Sequence, residues 1–255
     1  MAVAERVPLL AMERISKRFG AVQALTDVRF EVNAGEVMAL VGDNGAGKST
    51  LVKTIAGIHP VDQGTIRWQG REVVIRTPND STALGIATVY QDLALCDNLD
   101  VVANLFLGRE ATTAGGPLGV IDEIGMEQRS IGVLRRLSVK LPSVRIPIAS
   151  LSGGQRQSVA VARSVLWDNR VVLLDEPTAA LGVAQTKEVL DLVKRLREEG
   201  HGVVLISHNL ADVFEVADRI TVLRLGRYVG TYDARAVGRE ELVALMTGAV
   251  QGTQA

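Results

Sequence analysis

The stretch GDNGAGKST at residues 42–50 decides how the rest of the chain is interpreted. It lies between the apolar run EVMALV and a stretch with the pattern of a helix, and it fits the spacing G-x-x-x-x-G-K-[ST]. Glycines at positions 42, 45 and 47 let the backbone curl until its N–H groups converge on an anion, while the helix N-terminus adds a partial positive charge. The stretch therefore predicts a phosphate-binding loop between a strand and a helix.

Residues of this loop have separate predicted roles in binding MgATP. Lys48 is expected to reach the β- and γ-phosphates, and the Ser49 hydroxyl to ligate Mg²⁺. The alternative is a glycine-rich turn before a core helix, but ordinary residue usage gives a chance match only about one time in a hundred. The residues predicted to contact the nucleotide are Gly42, Asp43, Asn44, Gly45, Ala46, Gly47, Lys48, Ser49 and Thr50.

Two carboxylates directly follow the buried run VVLL at residues 171–174. Asp175 is the natural partner for Mg²⁺, through a water molecule, and Glu176 is placed to polarise an attacking water. An Asp-Glu pair after a strand is also common as a helix N-terminal cap, so the pair alone leaves both interpretations open. The phosphate loop in the same chain favours hydrolysis.

The motif LSGGQRQ at residues 151–157 precedes the apolar-striped stretch QRQSVAVARSVLW. Ser152, Gly153 and Gly154 make a second helix N-terminus that is able to hold an anion. Capping accounts for Ser152 but not for the glycines. Here the sequence resembles the ABC ATPase family, whose signature loop has this motif, and the resemblance runs from about residue 12 to residue 246.

The resemblance implies a head-to-tail dimer with two ATP molecules at its seam. In that family the signature loop of one copy contacts the γ-phosphate held by the phosphate loop of the other. The residues that the resemblance assigns to this contact are Ser152, Gly153, Gly154 and Gln155. The implied cofactors are ATP and Mg²⁺.

Three further residues match family positions. Phe19, in SKRFG, matches the aromatic residue that stacks on adenine, although a lone Phe is more often a core residue. Gln91, in ATVYQD, matches the glutamine that touches Mg²⁺ and the attacking water and joins the core to a helical insert. His208, in VVLISHN, matches the histidine that contacts the γ-phosphate, where a lone His is usually a satisfied polar residue. The implied catalytic residues are Lys48, Gln91, Glu176 and His208, and the implied metal ligands are Ser49, Gln91 and Asp175.

One position departs from the family pattern. The segment after the catalytic glutamate usually reads S-A-L-D, whereas residues 179–182 read AALG. The carboxylate that helps connect the two subunits is therefore replaced by Gly182. The catalytic and metal-binding positions keep their residue types, so the sequence does not indicate a dead site.

Strand-like and helix-like runs alternate outside residues 93–151, which predicts an α/β fold with a mostly parallel sheet. Predicted helices cover residues 48–56, 155–166, 185–199 and 211–216. With the resemblance, the fold class is a P-loop NTPase (RecA-like) core with an antiparallel β subdomain and an inserted helical subdomain.

We expect a single ABC ATPase domain with three parts. Residues 1–92 and 160–235 form the nucleotide-binding core with its β subdomain. Residues 93–159 form the helical subdomain, which contains the signature motif and the glycine-rich loop ATTAGGPLG, and residues 236–255 form a short C-terminal tail.

Composition excludes several other classes of protein. The 28 basic and 29 acidic residues leave a net charge of −1, which gives no reason to expect nucleic acid as a partner. The single cysteine, Cys96, cannot form an internal disulfide. No run approaches the roughly 20 apolar residues of a membrane-spanning helix, and the first residues lack the pattern of an export signal, so we expect a soluble, cytoplasmic chain.

The chain resembles the ATPases of simple-sugar importers for ribose, xylose or fructose in three stretches, which read GDNGAGKSTLVKTIAG, NLDVVANLFLGRE and DEPTAALGV. Many members of that group fuse two ATPase domains, whereas this chain has one copy of each motif. The implied partners are a second copy, membrane permease subunits and, indirectly, a sugar-binding protein, which places the chain at the cytoplasmic face of the membrane. The alternatives are an importer ATPase for another solute and a non-transport regulatory or scaffold ABC protein.

Overall fold

A ten-stranded sheet runs through the part of the chain that the computed structural model describes, residues 7–113 and 119–250. Its strands are β1 (Leu10–Phe19), β2 (Val22–Val32), β3 (Glu36–Val41), β4 (Gln63–Trp68), β5 (Arg71–Val73), β6 (Ile86–Val89), β7 (Val171–Asp175), β8 (Gly202–Ile206), β9 (Arg219–Arg224) and β10 (Arg227–Asp233). The α-helices are α1 (Lys48–Ile55), α2 (Pro78–Ala83), α3 (Val101–Phe106), α4 (Glu123–Arg136), α5 (Gly153–Val165), α6 (Val183–Glu198), α7 (Leu210–Val216) and α8 (Arg239–Thr247).

Strand order in the sheet is β5-β4-β1-β2-β10-β9-β3-β8-β7-β6. The five strands from β9 to β6 are parallel neighbours, whereas β1 pairs antiparallel with β2 and β4, and β4 with β5. Strands β3 and β8 are buried along their whole length, as expected of parallel strands covered on both faces. The predicted fold class is confirmed.

Side chains of β3 alternate between two hydrophobic clusters, because successive residues of a strand point to opposite faces. Val37, Ala39 and Val41 belong to a cluster that includes buried residues of α3, α4, α5 and α6. Met38 and Leu40 belong to the other cluster, with α1 and the antiparallel strands β1 and β2. The helices between β6 and β7 therefore share one core with the parallel sheet.

The predicted helices are present with small changes at their ends. Helices α1, α6 and α7 begin and end within two residues of the predicted bounds. In the segment predicted as a tail, α8 packs on β9 and buries Leu242 and Leu245. Part of the loop ATTAGGPLG, residues 114–118, lies outside the described residues.

Helix lengths and composition bear on membrane crossing. In residues 7–113 and 119–250, no helix combines the length and the apolar character that a bilayer span requires.

The imidazole of His201 lies just before β8 with only 14% of its side chain exposed. Its Nδ1 is 2.8 Å from the backbone oxygen of Asn169. Burial lowers the pKa of His201 below its ordinary value of 6.5, despite this hydrogen bond and the nearby Glu199 carboxylate. The unfolded chain therefore binds a proton here more readily than the folded chain, so the stabilising contribution is present above pH 6.5 and is lost as the pH falls.

We predict that the wild type loses more free energy of unfolding than His201→Gln when the pH is lowered from 8 to 5.5. Glutamine has no titrating group but can still donate a hydrogen bond to Asn169. Urea unfolding of both proteins at the two pH values measures the difference. Equal losses would contradict a titrating role of His201, since the other ionisable groups are common to both proteins.

Candidate nucleotide site

The loop of residues 42–47 connects β3 to α1 in a conformation that requires glycine at two positions. Gly42 has a φ of 151°, and a Cβ there would lie 2.2 Å from the backbone oxygen of Leu223. Gly47 has a φ of 99°, and a Cβ there would lie 2.8 Å from Cδ2 of Leu25. These contacts seat the loop against β2 and the end of β9, so its shape is set before any ligand binds.

Lys48 is the first residue of α1 and folds back over this loop. Its Nζ donates hydrogen bonds to the backbone oxygens of Gly42 at 2.6 Å and Asp43 at 3.1 Å. Burial lowers the pKa of Lys48, and the carboxylates of Glu176, Asp43 and Asp175 oppose that shift. The ammonium group is thus held at the loop with carboxylates nearby.

A cavity of about 590 Å³ lies over the loop. Besides residues 44–50, it is lined by residues 22–24 of β2 and by Leu225 and Gly226 of the turn after β9. Sequence reasoning missed these five residues. No sequence motif marks them, and only the fold places them beside the loop. Leu225, for example, is an apolar side chain with 73% exposure.

Three predicted site residues follow neighbouring strands of the parallel sheet, next to the strand that leads into the loop. The order β3-β8-β7-β6 is continuous, and Gln91, Asp175 and His208 lie at or just after the ends of β6, β7 and β8. Because parallel strands end at the same edge of a sheet, these residues and the phosphate loop share that edge.

Glu176 and His208 are in direct contact at this edge. Oε2 of Glu176 is 2.8 Å from Nδ1 of His208, and the backbone N–H of Glu176 donates to the oxygen of Ile206 at 2.9 Å. The φ of Glu176 is 51°, a conformation that costs a non-glycine residue about 1–3 kcal/mol. The strain lies in the backbone of Glu176, between β7 and the residues that follow it. The Glu176 side chain is 19% exposed, whereas the His208 side chain is 74% exposed.

Asp175 is the last residue of β7. Burial raises the pKa of Asp175 and the neighbouring Glu176 carboxylate raises it further, while Lys48 and Lys53 act in the opposite direction. Among the described residues, the Asp175 carboxylate has no hydrogen bond or ion pair. In the same part of the chain, no three His, Cys, Asp or Glu side chains are grouped to hold a metal ion.

A buried carboxylate joins the segments that follow Glu176 and His208. Asp212 is 6% exposed, accepts a hydrogen bond from Thr178 Oγ1 at 2.6 Å, and accepts another from Asn209 Nδ2 at 2.9 Å. Sequence reasoning missed this connection, because Thr178 and Asp212 are 34 positions apart in the chain.

Gln91 is exposed, and the segment that follows it is fastened to the helices of the insert. The guanidinium of Arg163, on α5, donates to the backbone oxygens of residues 93 and 94, both at 2.9 Å. The fully buried Asn104 of α3 accepts a hydrogen bond from the N–H of Cys96 at 2.7 Å and donates to the Cys96 oxygen at 3.0 Å. Gln91 thus begins a segment that is hydrogen-bonded to two helices of the insert.

The signature motif begins α5 earlier than predicted. The helix starts at Gly153, not at Gln155, because Ser152 is its N-terminal cap. Ser152 Oγ accepts from the N–H of Gln155 at 3.3 Å, and Gln155 Oε1 accepts from the N–H of Ser152 at 3.1 Å. The two glycines therefore form the first turn of the helix.

Both glycines of the motif lie against the start of α6. A Cβ at Gly154 would be 3.0 Å from Cβ of Gln185, and one at Gly153 would be 3.0 Å from Cδ2 of Leu181. Close packing of α5 on α6 accounts for the glycines that capping left unexplained. Ser152 and Gln155 line a second cavity of about 500 Å³, which shares no lining residue with the cavity over the phosphate loop.

Phe19 is the last residue of β1 and is not part of the core, since 42% of its surface is exposed. In the β1–β2 pairing it lies opposite Val22, which lines the cavity over the phosphate loop. The predicted base-stacking residue is therefore at the edge of this cavity.

Together, the glycine-rich loop at the start of α1 and the polar residues at the adjoining strand ends define a P-loop nucleotide-binding protein. A family model described as "ABC transporter" matches residues 25–179. The chain belongs to the ABC transporter family.

Sequence relatives agree with this assignment. The chain is 43% identical to the xylose/arabinose import ATP-binding protein XylG of Sulfolobus acidocaldarius, over 96% of both proteins. It is 42% identical to the fructose import ATP-binding protein FrcA of Rhizobium meliloti, over 95% of both. It is 44% identical to the ribose import ATP-binding protein RbsA 1 of Rubrobacter xylanophilus, over 94% of this chain but only 47% of that protein.

Solved structures share the fold. A nucleotide-free ATP-binding cassette from an ABC transporter matches with a TM-score of 0.80 and 24% identity, covering 94% of this chain and 95% of that one. The ATP-binding cassette MJ0796, described as dimeric in a post-hydrolysis state bound to ADP and Pi, matches with a TM-score of 0.72 and 23% identity, covering 89% and 100%.

The packing of α5 on α6 gives a testable prediction. We expect Gly154→Val to lower the free energy of unfolding by about 1–3 kcal/mol, because its side chain overlaps Gln185. Gly132→Val is the matched control, since Gly132 lies in α4 and a Cβ there meets no atom within 4 Å. Urea unfolding measures both variants, and equal effects would contradict the packing explanation.

Proposed function

We propose that the chain is the ATP-binding, ATP-hydrolysing subunit of an ABC importer that powers the uptake of a monosaccharide. The observation that carries the proposal is the shared edge at which the phosphate loop, Gln91, Asp175, Glu176 and His208 meet. Family membership and relatives named as sugar import ATP-binding proteins support it.

Nucleotide binding is assigned to the loop and Phe19. The N–H groups of residues 42–50 surround the phosphates, and Lys48 exchanges the backbone oxygens of Gly42 and Asp43 for phosphate oxygens. The exposed ring of Phe19 stacks on the base. Both sets of contacts favour a nucleoside triphosphate over a simple phosphate ester.

Mg²⁺ fits the donor set at the strand ends. Asp175 is a carboxylate without an ion-pair partner among the described residues, and its raised pKa reflects burial beside a second carboxylate. With the Ser49 hydroxyl and the Gln91 amide oxygen it offers oxygen ligands, which Mg²⁺ prefers. When bound, the ion would neutralise charge on the phosphate oxygens.

Hydrolysis is assigned to the pair of Glu176 and His208. Glu176 polarises the attacking water, and its contact with His208 at 2.8 Å fixes the carboxylate. His208 is exposed enough to contact the γ-phosphate as well. The hydrogen bonds of Asp212 hold the segments after both residues in one arrangement.

Two copies are required to complete the site. Ser152 and Gln155 line a cavity that shares no residue with the cavity over the phosphate loop, so we assign them, with the adjoining Gly153 and Gly154, to the γ-phosphate held by a second copy. The dimeric state of the cassette MJ0796 supports dimerisation, and the family resemblance implies that the dimer is head-to-tail with two ATP molecules between the copies.

The helical insert is the surface proposed to meet the permease. Among its described residues, five large apolar side chains are exposed: Leu107, Val120, Ile121, Ile124 and Ile131. Exposed apolar residues concentrated in one segment are typical of an interaction surface. The chain is thus placed at the cytoplasmic face of the membrane as a peripheral subunit, with a sugar-binding protein as an indirect partner.

Glu176→Gln tests both hydrolysis and assembly. We expect kcat for ATP to fall at least about 100-fold, because the amide cannot act as a general base, while ATP binding is kept. Light scattering with ATP and Mg²⁺ should then show twice the monomer mass. Lys48→Ala, with weakened phosphate binding, should show neither ATPase activity nor the dimer. A monomeric Glu176→Gln protein at saturating ATP would contradict the composite site.

Gly182→Asp tests the departure from the family sequence. Gly182 has an ordinary φ of −74°, and a Cβ there meets no atom within 4 Å, so aspartate fits without strain. At this helix N-cap a carboxylate is also a favoured group. We expect unchanged or slightly higher stability and, in the Glu176→Gln background, a dimer that forms at lower protein concentration. Gly182→Ala is the control, and equal dimerisation of the two variants would contradict a role for the carboxylate.

A further inference from the structure

A short loop after α1 contacts the strand that ends at Phe19. Nζ of Lys17 lies 2.8 Å from Oδ1 of Asp62, and the Lys17 side chain is only 11% exposed. Oδ2 of Asp62 accepts a hydrogen bond from the N–H of Arg18 at 2.7 Å, and the N–H of Asp62 donates to the oxygen of Ser16 at 3.1 Å. Asp62 therefore contacts the three residues that precede Phe19, Lys17 and Arg18 through its carboxylate and Ser16 through its backbone N–H.

The ring of Phe19 is held on two of its sides by the same region. Nζ of Lys17 is 5.5 Å from the ring centroid, in a cation–π arrangement over the ring. The His59 ring meets Phe19 in an edge contact, with centroids 4.9 Å apart and planes at 72°. The ring still keeps 42% of its surface exposed. Lys17 and His59 therefore hold the ring while leaving part of its surface open to a flat ligand.

The same loop is connected to the phosphate end of the site. Helix α1 begins at Lys48 and is followed by His59, whose N–H donates to the oxygen of Lys53 at 3.2 Å. The chain that starts at the phosphate loop thus returns, within a dozen positions, to the ring proposed to stack on the base. The distance between the two ends of the nucleotide site is therefore set by one helix and its loop.

We propose that Asp62 is a positioning residue, which acts through Lys17 to present the exposed part of the Phe19 ring to the base of the nucleotide. The inference rests on the proposed function and assigns residues to it that neither the motifs nor the family resemblance point to. The hydrogen bonds from Lys17 and from the Arg18 N–H hold the pKa of Asp62 below its ordinary value, so the carboxylate is charged at neutral pH. A ring ordered before binding loses less side-chain freedom when the base arrives.

The test measures steady-state ATPase kinetics of Asp62→Asn and Lys17→Met. We expect KM for ATP to rise about two- to tenfold with kcat unchanged, since the chemistry occurs at the far end of the nucleotide. Inorganic tripolyphosphate, which has phosphates but no base, is the second probe, and its inhibition constant should stay at the wild-type value. In a Phe19→Leu background, Asp62→Asn should have no further effect on KM.

The control is a second ion pair that lies between α6 and α7. Lys194 and Glu215 are 2.9 Å apart, and Lys194→Met and Glu215→Gln make the same changes of charge outside the nucleotide site. These variants should keep the wild-type KM. Lys17→Arg, which preserves the charge, should restore most of the affinity lost in Lys17→Met. If Asp62→Asn does not fold, Lys17→Gln replaces it in the same comparison.

Three results would overturn the positioning role. The first is an unchanged KM for ATP in Asp62→Asn. The second is a loss of tripolyphosphate binding as large as the loss of ATP binding. The third is a rise in KM on adding Asp62→Asn to Phe19→Leu that equals the rise in the wild-type background. Each presupposes a wild-type protein that hydrolyses ATP. A wild type without Lys48-dependent ATPase activity would contradict the proposed function instead, so the two failures are distinguishable.

Discussion

Backbone pairing among β3, β8, β7 and β6 is the constraint on which the site depends. Leu40 and Asp175 are both paired with Ile206, and Val89 is paired with Leu174, so the strands end almost level. A shift of one residue between strands would turn every side chain to the opposite face. The two hydrophobic clusters on either side of the sheet oppose such a shift, because their members alternate along β3. The chemistry at the edge is thus fixed by packing in the middle of the sheet.

Strain at the edge is stabilised by that same packing. Glu176 keeps a positive φ and Lys48 gives up part of its hydration, both of which cost free energy in an isolated chain. The buried strands that precede them supply rigid anchors on both sides. A flexible edge would relax these residues and lose the contact between Glu176 and His208. Strand formation alone requires neither the positive φ of Glu176 nor the partial burial of Lys48.

Sequence reasoning reached the features that depend on neighbours in the chain. The strand–loop–helix around Lys48 and the carboxylates at the end of β7 follow from short motifs, and the structure places them at the edge where the parallel strands end. It missed contacts between distant positions, such as Arg163 with residues 93–94 and Thr178 with Asp212, because no local pattern specifies them. For the glycines of the signature motif, the sequence identified the motif but did not predict that Gly154 packs against Gln185.

The arrangement of Arg163 bears on how nucleotide and permease communicate in the proposed importer. Arg163 lies on α5, the helix that Ser152 caps, and it donates hydrogen bonds to the segment that begins at Gln91. In the proposed dimer, Ser152 contacts the nucleotide of the second copy and Gln91 contacts the nucleotide of its own copy. A displacement of either residue therefore acts on one packed unit. That unit includes α3 and α4, through the shared hydrophobic cluster, and carries the exposed Ile124. Two nucleotides closing from opposite sides would displace the insert as a body, since close-packed helices transmit force with little compression.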